Sequence, residues 1–154
     1  MKYLLILFTT FCFSQQVITV GTNPKILTDK QFSGTFSWVQ QFDNWEGGIA
    51  LEYINLDPYF FTTGFIVNVP LVEMGHVVGL MGVEALYLQR GTIYPQSQKE
   101  FITGGLNAIL RYYFSDFALN LRLNGKYRPD TIRLWDGQKA SWGGFFELSY
   151  IFGR

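Results

Sequence analysis

The chain alternates apolar and polar residues with a period of two over long stretches. From Phe117 to Arg128, the residues Phe117, Leu119, Leu121, Leu123 and Tyr127 alternate with Asn120, Arg122, Asn124, Lys126 and Arg128. Successive side chains of a strand point to opposite faces, so this segment has one apolar face and one cationic face. Gln31 to Phe42 repeats the pattern, setting Phe32, Phe36, Trp38 and Phe42 against Ser33, Thr35, Ser37 and Gln41. Trp45 to Asn55, Tyr59 to Leu71, Phe101 to Phe114 and Ser141 to Phe152 do the same. Gly75 to Arg90 is the least regular run. Its three glycines and repeated β-branched residues favour a strand over a helix.

That makes seven strands, and the connections assign their directions. Asp43-Asn44, Ser115-Asp116 and the stretch around Glu73 are short turn signals, whereas Gly91 to Lys99 and Pro129 to Lys139 are longer and polar. If the last strand ends on the short-turn side, an eighth strand must precede the rest. Val17 to Val20 is the candidate, followed by a long connection from Thr22 to Lys30. A strand of about twelve residues rises about 40 Å, and a tilt near 45° projects this to about 28 Å, which fits the apolar band of a membrane barrel.

The apolar faces are crowded with large aromatic residues, while the opposite faces carry Gly, Ala, Ser, Thr and Asn with a few charges. An interior of eight strands accepts the second set more easily than the first. A soluble barrel with a greasy interior, of the lipocalin type, is the competing arrangement. The pattern therefore predicts an all-β fold: an eight-stranded antiparallel, up-and-down transmembrane β-barrel with its apolar faces outward. The polar faces hold Glu46, Glu52, Glu84, Arg111, Arg122, Lys126 and Glu147, with His76 nearby. Glu52, Glu84, Arg111, Arg122, Lys126 and Glu147 are expected to form a lumen network. Arg111, Arg122 and Glu147 fall on three consecutive strands. On this reading Leu121→Arg impairs insertion and Asn120→Ser is mild.

Composition agrees. Lys plus Arg and Asp plus Glu are both 12, so no basic excess points to nucleic acid. Charged residues are only 16 %, below the usual share of about 25 %. The first 14 residues join a charged start (Lys2) to a short apolar run and end on Cys12 and Ser14, small residues two apart before Gln15. This predicts a secretory signal peptide over residues 1–14 and a barrel over residues 15–154. Phe11 stands where a lipoprotein needs a small residue, and Cys12 is the only cysteine, so no disulfide is expected.

Phe146-Glu147-Leu148-Ser149-Tyr150-Ile151-Phe152 resembles the C-terminal assembly signal of outer-membrane β-barrels, carried by Phe146, Leu148, Tyr150 and Phe152. With the leader and the strand count, the mature chain resembles the small OmpA/OmpX-like outer-membrane barrel class. That resemblance implies a Gram-negative outer membrane, contact with its lipids, and insertion by the barrel-assembly machinery. It also implies a compact anchor with exposed loops. The class pattern ends on an aromatic residue, whereas Gly153-Arg154 follow here.

Chemistry is sparse. Lipid-hydrolysing barrels resemble one another in a His and a Ser two apart on one face, but His76, the only histidine, is followed two places on by Val78. Asp57, Asp130 and Asp136 stand singly on connections, and no metal-binding or phosphate-cradling motif occurs. No cofactor and no enzymatic activity are expected; a lipid-modifying enzyme and an accessory subunit of an envelope complex are the alternatives. Binding by loops remains, with Tyr94, Arg133 and Trp135 as candidate contacts for a protein partner. Trp135 fits equally an aromatic girdle with Tyr127 and Trp142.

Overall fold

The computed structural model describes residues 15–23, 33–55, 60–90, 100–127 and 140–153. Residues 1–14, expected to be a leader, and the connections that hold Tyr94, Arg133 and Trp135 lie outside these residues. Eight strands follow one another: β1 (Gln16–Thr22), β2 (Ser33–Gln41), β3 (Glu46–Ile54), β4 (Phe60–Met74), β5 (Val77–Arg90), β6 (Glu100–Phe114), β7 (Phe117–Tyr127) and β8 (Ala140–Phe152). Each pairs antiparallel with the next, and β1 pairs with β8, so the sheet closes and no strand is left as an edge along its whole length. The short first strand forms and is longer than its four-residue apolar core, because Gln16 and Thr22 also find partners on both sides.

One end of the barrel carries the tight turns. Gly75-His76 joins β4 to β5, and Ser115-Asp116 joins β6 to β7. Gly75 has φ 59° and Ser115 has φ 55°, each at the first of the two turn residues. A positive φ at that place matches the twist of the flanking strands, and Gly75 adopts it without steric cost. The same end holds the start of β1 and the finish of β8.

β4 continues to Met74, beyond the alternation that ends at Leu71. Pro70 has no N–H to give the ladder, and the register shifts between Pro70 and Val72. Leu71 is the extra residue of this bulge. Beyond it, Val72, Glu73 and Met74 pair regularly with Gly79, Val78 and Val77.

The faces sort as the alternation predicts. Outward residues are Leu119, Leu121 and Leu123 on β7 and Phe146, Leu148 and Tyr150 on β8, all exposed. Inward residues such as Asn120, Arg122, Asn124 and Lys126 are buried. The inside is not wholly polar. Val17, Val39, Ala50, Ile66, Ala118 and Ile151 pack into one apolar cluster. Phe60 and Leu88, with Ile54 against them, form another towards the opposite end. Inward glycines leave room for neighbouring side chains: a Cβ on Gly82 would run into the Asn68 amide and the Val67 carbonyl.

Outside, aromatic rings run in a chain near the tight-turn end. Tyr112, Phe114, Phe117, Tyr150 and Phe152 stand with successive centroids 6.5, 6.0, 5.2 and 6.0 Å apart. Phe42 stacks on Trp45 at 4.2 Å.

Candidate functional site

Among the described residues, charges concentrate in the lumen. Strict alternation on β3, β6, β7 and β8 sends Glu46, Glu52, Arg111, Arg122, Lys126 and Glu147 inward, and Glu84 joins them from β5. All seven are buried. Closure then brings partners together that lie far apart along the chain.

Arg111 on β6 reaches across the lumen to Glu46 on β3. Its Nη1 stands 2.7 Å from Glu46 Oε2 and its Nη2 stands 3.1 Å from Oε1. This is a two-pronged pair that suits the planar guanidinium. The remaining valences are also used. Asn68 Nδ2 donates to Glu46 Oε1 at 2.7 Å, and Arg111 Nε donates to Asn120 Oδ1 at 2.9 Å. Asn120 Nδ2 donates to Ser149 Oγ at 2.7 Å, which lies 2.7 Å from Thr19 Oγ1 on the first strand. The chain of contacts thus runs from β3 through β6, β7 and β8 to β1.

A second set lies towards the long-connection end. Arg122 Nε stands 3.0 Å from Glu147 Oε1, and the guanidinium lies 5.0 Å from the Phe145 ring centroid. The Arg122 N–H is not directed along the contact with Glu147. Glu147 Oε1 also accepts from Thr35 Oγ1 at 3.1 Å. Lys126 Nζ contacts Glu52 and stands 3.8 Å from Glu84 Oε1. Arg122, paired with Glu147, therefore does not share a network with Arg111, although strand order makes them neighbours. Arg111 is held by Glu46 instead.

Among the described residues these groups pack with little space between them. A cavity among Glu52, Thr62, Glu84, Arg122 and Lys126 has a volume of about 10 Å³. That is at the lower limit for one water molecule. Asn107 makes no hydrogen bond with either amide atom among the described residues.

His76 lies in a turn, not on a strand. It is exposed at the rim, 6.3 Å from the Tyr112 ring, and its carbonyl accepts the Tyr113 N–H at 2.8 Å. Among the described residues no group of three or more His, Cys, Asp or Glu side chains could hold a metal ion. Phe146, Leu148, Tyr150 and Phe152, expected from the sequence to form an assembly signal, share the outward face of β8.

The architecture is that of the small outer-membrane barrels. The N-terminal β-barrel domain of Pseudomonas aeruginosa OprF matches with a TM-score of 0.65 at 16% identity, over 91% of this chain and 98% of that one. Neisserial surface protein A matches with a TM-score of 0.61 at 12% identity, over 90% and 94%. Yersinia pestis Ail, solved in a phospholipid bilayer nanodisc, matches with a TM-score of 0.60 at 12% identity, over 90% and 99%. No protein-family model matches the sequence. No curated protein matches it either.

Proposed function

We propose that this protein is a non-enzymatic barrel of the bacterial outer membrane, exported by its leader, which serves the envelope structurally or binds a partner through its long connections. The observation that carries the reading is the reversal of the usual distribution of polarity. Glu46, Arg111, Arg122 and Lys126 are buried, while Phe65, Leu110, Leu121, Leu123 and Phe146 are exposed. Water on that outer wall would meet an apolar patch far beyond the few hundred Å² that soluble monomers show. Hydrocarbon removes the conflict. A β7 face from Phe117 to Tyr127, tilted near 45°, spans about 24 Å, close to the apolar band of such barrels.

The filled lumen supports an anchor rather than a channel. The exposed position of His76 in a turn at the rim supports a non-catalytic role. The tight-turn end would face the periplasm, and the long connections, with Tyr94, Arg133 and Trp135, would face outward to a protein partner.

The test is direct. The protein should fractionate with the outer membrane, float with phospholipid vesicles, and migrate faster on a gel before boiling than after. A folded chain that stays in solution without detergent would end the membrane reading. Purification in mild detergent should bring down a partner that Trp135→Ala releases. A lone barrel in both preparations would leave the structural role.

A further inference from the structure

The outer wall is not uniformly bulky. Two outward rows cross β5 to β8 along the hydrogen-bonding direction. One runs Met81, Ala108, Leu123, Gly144, and the other runs Val83, Leu106, Gly125, Trp142. Small residues interrupt both rows. The Trp142 indole lies over Gly125, where a Cβ would come within 2.6 Å of its Cζ3. Gly144 has nothing over it closer than Leu123 Cδ2, 3.4 Å from where its Cβ would be. The result is a groove of about 650 Å³, lined by Met81, Leu106, Ala108, Leu123, Trp142 and Gly144 among others.

We propose that this groove is a seat for one acyl chain of a membrane phospholipid, held more firmly than the surrounding lipid. The inference rests on the membrane residence proposed above. Three features choose the occupant. The groove is continuous with the apolar outer band, so whatever fills it comes from the hydrocarbon side. Its lining is mostly apolar, with Asn23 and Asn107 as its polar side chains, too few to pair the backbone groups of a peptide. The side chains missing at Ala108 and Gly144 give it the depth of one side chain, which suits a linear hydrocarbon and is shallow for a helix of about 10 Å diameter. It also covers far less than the roughly 800 Å² per partner that a stable protein–protein contact buries. The ridge residues Met81, Leu106, Leu123 and Trp142 would embrace the chain along its length.

Ala108→Leu combined with Gly144→Leu fills the groove without touching the lumen. The wild-type barrel, purified from membranes in mild detergent, should retain one phospholipid by native mass spectrometry. The double variant should lose most of it, at least tenfold in bound fraction. Leu110→Ile, on the same outer wall away from the groove, should retain it. Both variants should keep the heat-dependent gel shift, which certifies the fold. A wild-type barrel that carries no lipid, or a filled variant that carries as much, overturns the proposal. So does a dimer that dissociates when the groove is filled, because the occupant is then a second copy. Failure of the gel shift and vesicle flotation in the wild type would instead remove the membrane reading beneath it.

Discussion

Glu46 and Arg111 show what a single pair does in this lumen. Both are withdrawn from water, and each uses nearly all its hydrogen-bonding positions on named partners. Removing one partner leaves a bare charge, which costs about 3–5 kcal/mol; replacing both with apolar residues of similar size is often neutral or better. Glu46→Leu alone and Arg111→Leu alone should each lower the urea midpoint in vesicles strongly. The double substitution should recover most of the loss, a coupling that a double-mutant cycle measures. The same geometry corrects an expectation. Asn120→Ser should not be mild, because Asn120 accepts from Arg111 and donates to Ser149; its loss strands the buried Arg111 Nε–H and takes a donor from Ser149 Oγ, at about 1–3 kcal/mol. Inward placement of these residues is legible in the sequence, since alternation is strict on β7 and sets Arg111 with Thr103 and Asn107 on one face of β6. Their partners are not. Arg111 and Glu46 are 65 residues apart, and they meet only because the sheet closes and brings β3 opposite β6. The consecutive-strand argument that joins Arg111 to Glu147 misses this, because contact across a narrow tube competes with contact along its wall.

At the scale of the elements, the alternation yields seven strands and the direction of the connections the eighth, but their ends are mistaken where local geometry intervenes. Phe60, Ile66, Leu80, Leu86 and Ile109 face inward and are buried, so β4, β5 and β6 are apolar on both faces in places. Period-two contrast fades there, which is why β5 reads as irregular. The end of β4 is hidden for another reason. Pro70 breaks the ladder, and the bulge at Leu71 restores it with the faces intact. Deleting Leu71 should therefore be tolerated, because Pro70 opposite Leu80 and Val72 opposite Gly79 then become adjacent steps of a regular ladder. Deleting Val67, only a few residues earlier, should not be. It turns either Phe65 and its predecessors or Asn68 and its successors to the wrong face. The fraction of chain that resists heating on a gel before boiling should be near wild type in the first case. It should be almost absent in the second.

For the whole molecule, the decisive question is what medium meets the outer wall, and one position can answer it with opposite signs. Leu121 projects outward at the centre of β7, 40 % exposed, between Leu110 on β6 and Phe146 on β8. If hydrocarbon surrounds it, a charge there costs about 2–4 kcal/mol near the bilayer midplane. If water surrounds it, an arginine is harmless and improves solubility. If instead it lay inside a packed greasy core, enlargement would force neighbours off their rotamers at about 1–3 kcal/mol. Leu121→Arg and Leu121→Phe together separate all three. In a membrane barrel the arginine variant should fold into vesicles poorly, with a urea midpoint well below wild type, while the phenylalanine variant should match wild type. Ala118→Phe, three residues away but facing the filled lumen with no exposure, should fail where Leu121→Phe succeeds. An arginine at 121 that folds into vesicles as readily as leucine would mean that the apolar wall does not face lipid.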